Sequence, residues 1–117
     1  MEYRAEFVRV QSRKVMHMKG YFIVDTEVYD QEVFAEFAVK IVDAMGAHGG
    51  RFVVRGGTIE VTEGAWAPQR LVIMEFDSYE RALGFVRSPE YAGLQDLRSR
   101  CMMNSKTLVV EGYRPDA

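Results

Sequence analysis

A chain of 117 residues, 48% of them apolar and 12% aromatic, is long enough for one domain with a packed core and short for two. Its 17 acidic and 15 basic residues leave a net charge of −2 with the signs interleaved, which argues against a nucleic-acid or other polyphosphate partner. A single cysteine excludes an internal disulfide and fits a reducing cytoplasm, and no apolar run approaches the roughly 18 residues of a membrane span.

Residues 1–17 lack the continuous apolar segment of a secretion signal. They alternate Tyr3, Ala5 and Phe7 with Glu2, Arg4 and Glu6 until Gln11–Lys14 breaks the pattern, so they are expected to be an appendage, either an extra strand or a disordered arm. The single domain is expected over 18–113, with 114–117 as a tail. GYFIVDTEV reads as its first strand, rich in β-branched and aromatic residues. Asp30 is placed to cap a helix from Gln31 to about Ala47. Phe34, Phe37, Ala38, Ile41 and Met45 form its apolar face, and Gly49 and Gly50 end it. RFVVR is the second strand; GGTIEVTEGAW is a turn followed by a short edge strand or an irregular loop, broken by Pro68. RLVIMEF is the third strand, and Ser78 caps the helix YERALGFV. Ser88, with Pro89 at the first helical position and Glu90 near the dipole, starts a third helix running to about Cys101 and burying Tyr91, Leu94 and Leu97. KTLVVEG is the last strand. The order β-α-β-β-α-β specifies an α+β, ferredoxin-like fold, an antiparallel sheet with its helices on one face.

Strand parity then sorts the sheet. One set, Phe22, Val24, Phe52, Val54, Val72, Met74, Phe76, Leu108 and Val110, is wholly apolar and is expected to pack the helices. The other mixes Tyr21, Ile23, Val53, Leu71, Ile73 and Val109 with Asp25, Arg51, Arg55 and Glu75. That face is too apolar to be solvated and too charged to be a dry core. The expectation is a homodimer whose two sheets enclose a small-molecule cavity.

HGGRFVVRGG, EGAW, RLVIMEF, SPEY and a later LRSR resemble a domain-of-unknown-function family within the dimeric α/β-barrel superfamily, over about Met18 to Gly112. The resemblance implies a homodimer with a barrel-like enclosure. Related branches include cofactor-free monooxygenases, isomerases and dehydratases acting on small organic molecules, and haem-binding enzymes.

The glycine pairs match neither GxxxxGK[ST] nor GxGxxG and read as turns. Arg51 and Arg55 are candidates to anchor an anion or to neutralise Asp25 and Glu75. Glu75 and His48 are the acid–base candidates, Glu75 as a base with a raised pKa in apolar surroundings and His48 at a helix end where the dipole favours its charged form. The alternative for His48 is an exposed or capping imidazole, as many histidines are. Tyr21 and Tyr91 can donate to a bound oxygen or simply pack, Trp66 can cover the cavity or the dimer seam, and Arg98 is expected to face water. Two histidines and one cysteine without ligand spacing offer no metal site, Cys101 has no nearby activating partner, and no cofactor is expected. The functional expectation is a cofactor-independent enzyme acting on a small, anionic or enolisable organic molecule. A non-catalytic, metabolite-binding regulatory dimer and a purely structural dimer are the alternatives.

Overall fold

The computed structural model describes residues 18–115, so the appendage expected over 1–17 and the last two residues of the tail lie outside the described residues. Extended apolar segments pair into one antiparallel sheet: β1 (Gly20–Val28), β2 (Arg51–Arg55), β3 (Leu71–Phe76) and β4 (Met102–Glu111), in the spatial order β2-β3-β1-β4. Between them lie α1 (Gln31–Gly46), α2 (Tyr79–Val86), α3 (Pro89–Ala92) and α4 (Gln95–Cys101). This is the ferredoxin-like arrangement.

Local chemistry sets the helix starts. Asp30 Oδ1 accepts from the Val33 N–H, Ser78 Oγ from that of Arg81, and Ser88 Oγ from that of Tyr91, each at 3.1 Å. Each side chain satisfies a donor that the first helical turn leaves unpaired. At the other end of α1, Gly49 takes a φ of +76° and the Gly50 N–H returns to the Met45 carbonyl at 3.0 Å. Where one helix is expected from Ser88 to Cys101, the chain forms two short ones, because Gly93 and Leu94 interrupt it. The 56–70 segment takes the irregular-loop alternative and holds no strand.

The core lies between the helices and one face of the sheet. Phe22, Phe76, Phe85 and Cys101 are fully enclosed there, and Phe85 packs edge-on to Phe22 and stacked on Phe76. Two parity expectations are corrected by the register. In β4, Val109 stands opposite Phe22 and packs on the core, whereas Leu108 and Val110 stand opposite Ile23 and Tyr21 on the open face, about half exposed. In β2, Arg51 pairs with Glu75 and Phe52 with Met74, but Val54 then pairs with Ile73 and Arg55 with Val72. The extra residue at Val53 is a bulge, and it turns Arg55 onto the helix side while Arg51 stays on the open side.

Gly50 sits where a methyl group would overlap the Phe76 ring and Met45, while Gly57 has open space and an ordinary φ. Gly50→Ala is therefore expected to cost ~1–3 kcal/mol in urea unfolding, as overpacked cores do, and Gly57→Ala to change stability by no more than about 0.5 kcal/mol.

Candidate functional site

The residues singled out from sequence divide among four places. On the open sheet face, Tyr21 and Glu75 pair across β1 and β3; the Tyr21 hydroxyl donates to Glu75 Oε2 at 2.8 Å, and Arg51 forms an ion pair with Oε1. The Tyr21 hydrogen bond, helped by Arg51 and opposed by partial desolvation, holds the Glu75 carboxyl below its ordinary value. The same bond raises the Tyr21 phenol. The raised pKa expected of Glu75 is thus reversed: it is a fixed carboxylate whose two oxygens are both engaged.

The second place is the end of α1. His48 Nε2 lies 2.8 Å from Glu90 Oε1 and its ring stands edge-on to Phe85. The His48 contact is the main cause that lowers the Glu90 carboxyl. His48 thereby ties the end of α1 to the start of α3, on the helix side of the sheet and so across it from Glu75.

Asp25 has a third role. It is 7% exposed; Oδ2 accepts from Trp66 Nε1 at 2.9 Å and Oδ1 from the Gln69 N–H at 3.1 Å. These bonds pin the 56–70 loop to β1. The Trp66 ring itself is 60% exposed and borders a cleft of about 430 Å³ that also touches Asp25, Asn104 and Lys106.

The bulge brings Arg55 to a different site, which sequence reasoning did not assemble. Between the helix face of the sheet and α1 lies a cavity of about 40 Å³ with an almost wholly apolar wall, including Phe22, Phe34, Phe37, Ile41, Phe52 and Tyr91. Three arginines line it: Arg55, Arg70 and Arg98. Each guanidinium lies over an aromatic ring, Arg55 over Phe52 at 4.2 Å, Arg70 over Phe34 at 4.9 Å and Arg98 over Tyr91 at 4.8 Å. Arg55 also donates to the Ala38 carbonyl and Arg98 to Gln95 Oε1, both at 3.0 Å. No carboxylate lines the cavity, and among the described residues none forms an ion pair with these three side chains. Burial first, and then the charge of Arg55, lower the pKa of Arg70, as expected of like charges that converge. Tyr91 also lines the cavity, and burial raises its phenol, so it keeps its proton at neutral pH. Of the expected site residues, Arg55 and Tyr91 meet here; His48, Glu75, Asp25, Arg51, Tyr21 and Trp66 do not line this cavity.

Arg98, expected to face water, instead lines the cavity over Tyr91, the two lying on successive short helices seven residues apart. Arg70, expected as the first residue of the third strand, lies just before it and carries no signal of this role in the sequence. Its place depends on Gly56, whose φ is +68° and whose missing Cβ would coincide with the Arg70 guanidinium. The second glycine pair of HGGRFVVRGG therefore does more than turn the chain: it leaves room for an arginine fourteen residues on.

Two outcomes are expected. Asp25→Ala leaves the Trp66 and Gln69 donors without their acceptor, so it should cost ~1–3 kcal/mol and alter the emission of the sole tryptophan before global unfolding. For Glu75 the sign follows from its lowered folded pKa: its contribution is complete above the ordinary value of 4.5 and is lost as pH falls through the lower folded value. Glu75→Gln should therefore lower stability at pH 7 and flatten its acid limb, as read by denaturant unfolding at pH 7 and pH 3.

Solved structures share this architecture at low identity. A protein of unknown function from Rhodopseudomonas palustris aligns over 92% of this chain and 93% of its own, at 16% identity and a TM-score of 0.65. A conserved protein from Methanosarcina mazei aligns over 86% and 99%, at 13% identity and a TM-score of 0.53. A hypothetical protein from Arabidopsis thaliana aligns over 84% and 90%, at 8% identity and a TM-score of 0.51. At these identities the likeness is one of fold, and no curated protein matches the sequence. The model of one sequence family matches residues 19–113, nearly the whole described domain, and the chain belongs to that family, the domain of unknown function DUF1330.

Proposed function

We propose that this protein binds a small organic anion, a carboxylate or enolate carried on an apolar body, in the cavity between the sheet and α1. One observation carries the reading: three arginines converge on an apolar cavity that no carboxylate lines. Arg70 and Arg98 are part-buried and Arg55 is exposed at the rim; part-buried cations ordinarily pair with acids. Here aromatic faces support them instead, and the guanidinium donors left over match the geometry of a carboxylate or enolate. The open face, with Ile23, Ile73, Leu108 and Val110 side by side around the Tyr21–Glu75–Arg51 group, supports a homodimer in which the two sheets meet.

A catalytic use of the same cavity is the second reading, favoured by Tyr91. A protonated phenol with Arg98 over its ring can give a proton to an enolate that the arginines stabilise, with no cofactor. His48 and Glu75 have no part in it, being placed elsewhere.

The binding reading is tested by NMR titration with butyrate, butanol and butylammonium. Butyrate is expected to shift resonances of α1 and β2 and to bind at least about tenfold more tightly than the alcohol, the ammonium not at all. Arg55→Gln and Arg98→Gln should each weaken butyrate by about tenfold or more, the scale of a charge-assisted hydrogen bond. Equal binding of acid and alcohol, or no binding of butyrate, overturns it.

A further inference from the structure

The cavity does not end at its own wall. A second, open cleft of about 370 Å³ runs past Gln31, Gly56 and Gln69, and it shares Thr26, Phe34 and Arg70 with the cavity. Arg70 thus stands between an apolar space and a polar one. At about 40 Å³ the apolar space holds little more than a short alkyl segment; a cavity known to take benzene measures about 150 Å³. A ligand larger than that segment extends beyond it, and the cleft across the Phe34–Arg70 boundary is the polar space that adjoins it. An ionised group moved into the apolar part would forfeit its hydration, whereas at the boundary it keeps both the guanidinium and water. Glu27, the acid bordering the cleft, already accepts from Asn104 Nδ2 at 2.8 Å.

From this juxtaposition, and resting on the anion-binding reading above, we infer that the ligand is an amphiphilic monocarboxylate. Its head sits in the cleft on Arg70, beside the amides of Gln31 and Gln69, and its hydrocarbon tail enters the cavity past Phe34. Arg70 reads the charge, the phenylalanines read the tail, and Gly56 is a positioning residue, since any side chain there would displace the guanidinium.

The test is calorimetric and NMR titration of the full chain with acetate, butyrate, hexanoate and octanoate, and with the matching alcohols. Affinity for the acids is expected to rise by about fourfold per methylene as the tail is buried, then to level off when the cavity is filled. Arg70→Gln should weaken hexanoate by about tenfold or more and leave hexanol within twofold. Gly56→Ala should act in the same direction as Arg70→Gln. Gly64→Ala is its control: Gly64 has a φ of +93° and open space around it, so it imposes the backbone strain without touching Arg70. Should Gly56→Ala not fold, Arg70→Gln decides alone. Carboxylates that bind with no dependence on tail length overturn the head-and-tail arrangement while leaving the anion-binding reading intact. So does binding lost in Arg55→Gln or Arg98→Gln and unchanged in Arg70→Gln, which would put the head inside. Binding of no carboxylate, butyrate included, sinks the underlying reading itself.

Discussion

Arg55 reaches the helix side of the sheet because β2 carries one residue more than β3 between the pair Arg51–Glu75 and the pair Arg55–Val72. That single insertion separates two arginines that an uninterrupted strand would aim the same way. It leaves Arg51 to neutralise Glu75 on the open face and delivers Arg55 to the apolar cavity, where its neighbours are Phe52 and the Ala38 carbonyl. The anion site is a consequence of a register shift, and without the shift the cavity would have two arginines instead of three.

The charges of the domain are consequently partitioned. Carboxylates with fixed partners lie away from the cavity: Glu75 held by Tyr21 and Arg51, Asp25 by Trp66 and Gln69, Glu90 by His48. Cations supported only by π-faces, carbonyls or an amide surround the cavity. A cation over an aromatic face gains about 0.5–2 kcal/mol, less than the several kcal/mol that full desolvation of an ion would cost. Arg55 accordingly stays exposed and Arg70 and Arg98 part-exposed, three like charges around one cavity with no acid lining it, a state that an anion relaxes. The same inequality explains why the arginines remain part-hydrated at the rim and the wall between them is hydrocarbon.

Much of this was legible before any coordinates. The caps at Asp30, Ser78 and Ser88, the glycine stop of α1 and the β-α-β-β-α-β order follow from local rules that tertiary contacts reinforced. What escaped were properties of pairing between strands. A period-two reading presumes an unbroken strand, so the bulge at Val53 was invisible and Arg55 was assigned with Arg51. In KTLVVEG both parities are partly apolar, so the orientation of Leu108, Val109 and Val110 was settled only by their partners on β1. Arg70 and Arg98 lie 28 residues apart in sequence and meet around one cavity only through the fold, and Asp25 is claimed by a loop forty residues away that no local pattern announces.

The position of β1 between β3 and β4 also bears on how the molecule comes into being. Tyr21 must await Val110 before its strand is flanked on both sides, a separation that spans most of the domain. Such distant pairing pays its loop-closure entropy late and slows folding relative to helical proteins of this size. During synthesis the first strand is made early and its final neighbour last, leaving an aggregation-prone ribbon edge exposed until the carboxyl-terminal strand arrives. Truncation within 102–111 should for that reason be felt at the centre of the sheet, far in sequence from the cut.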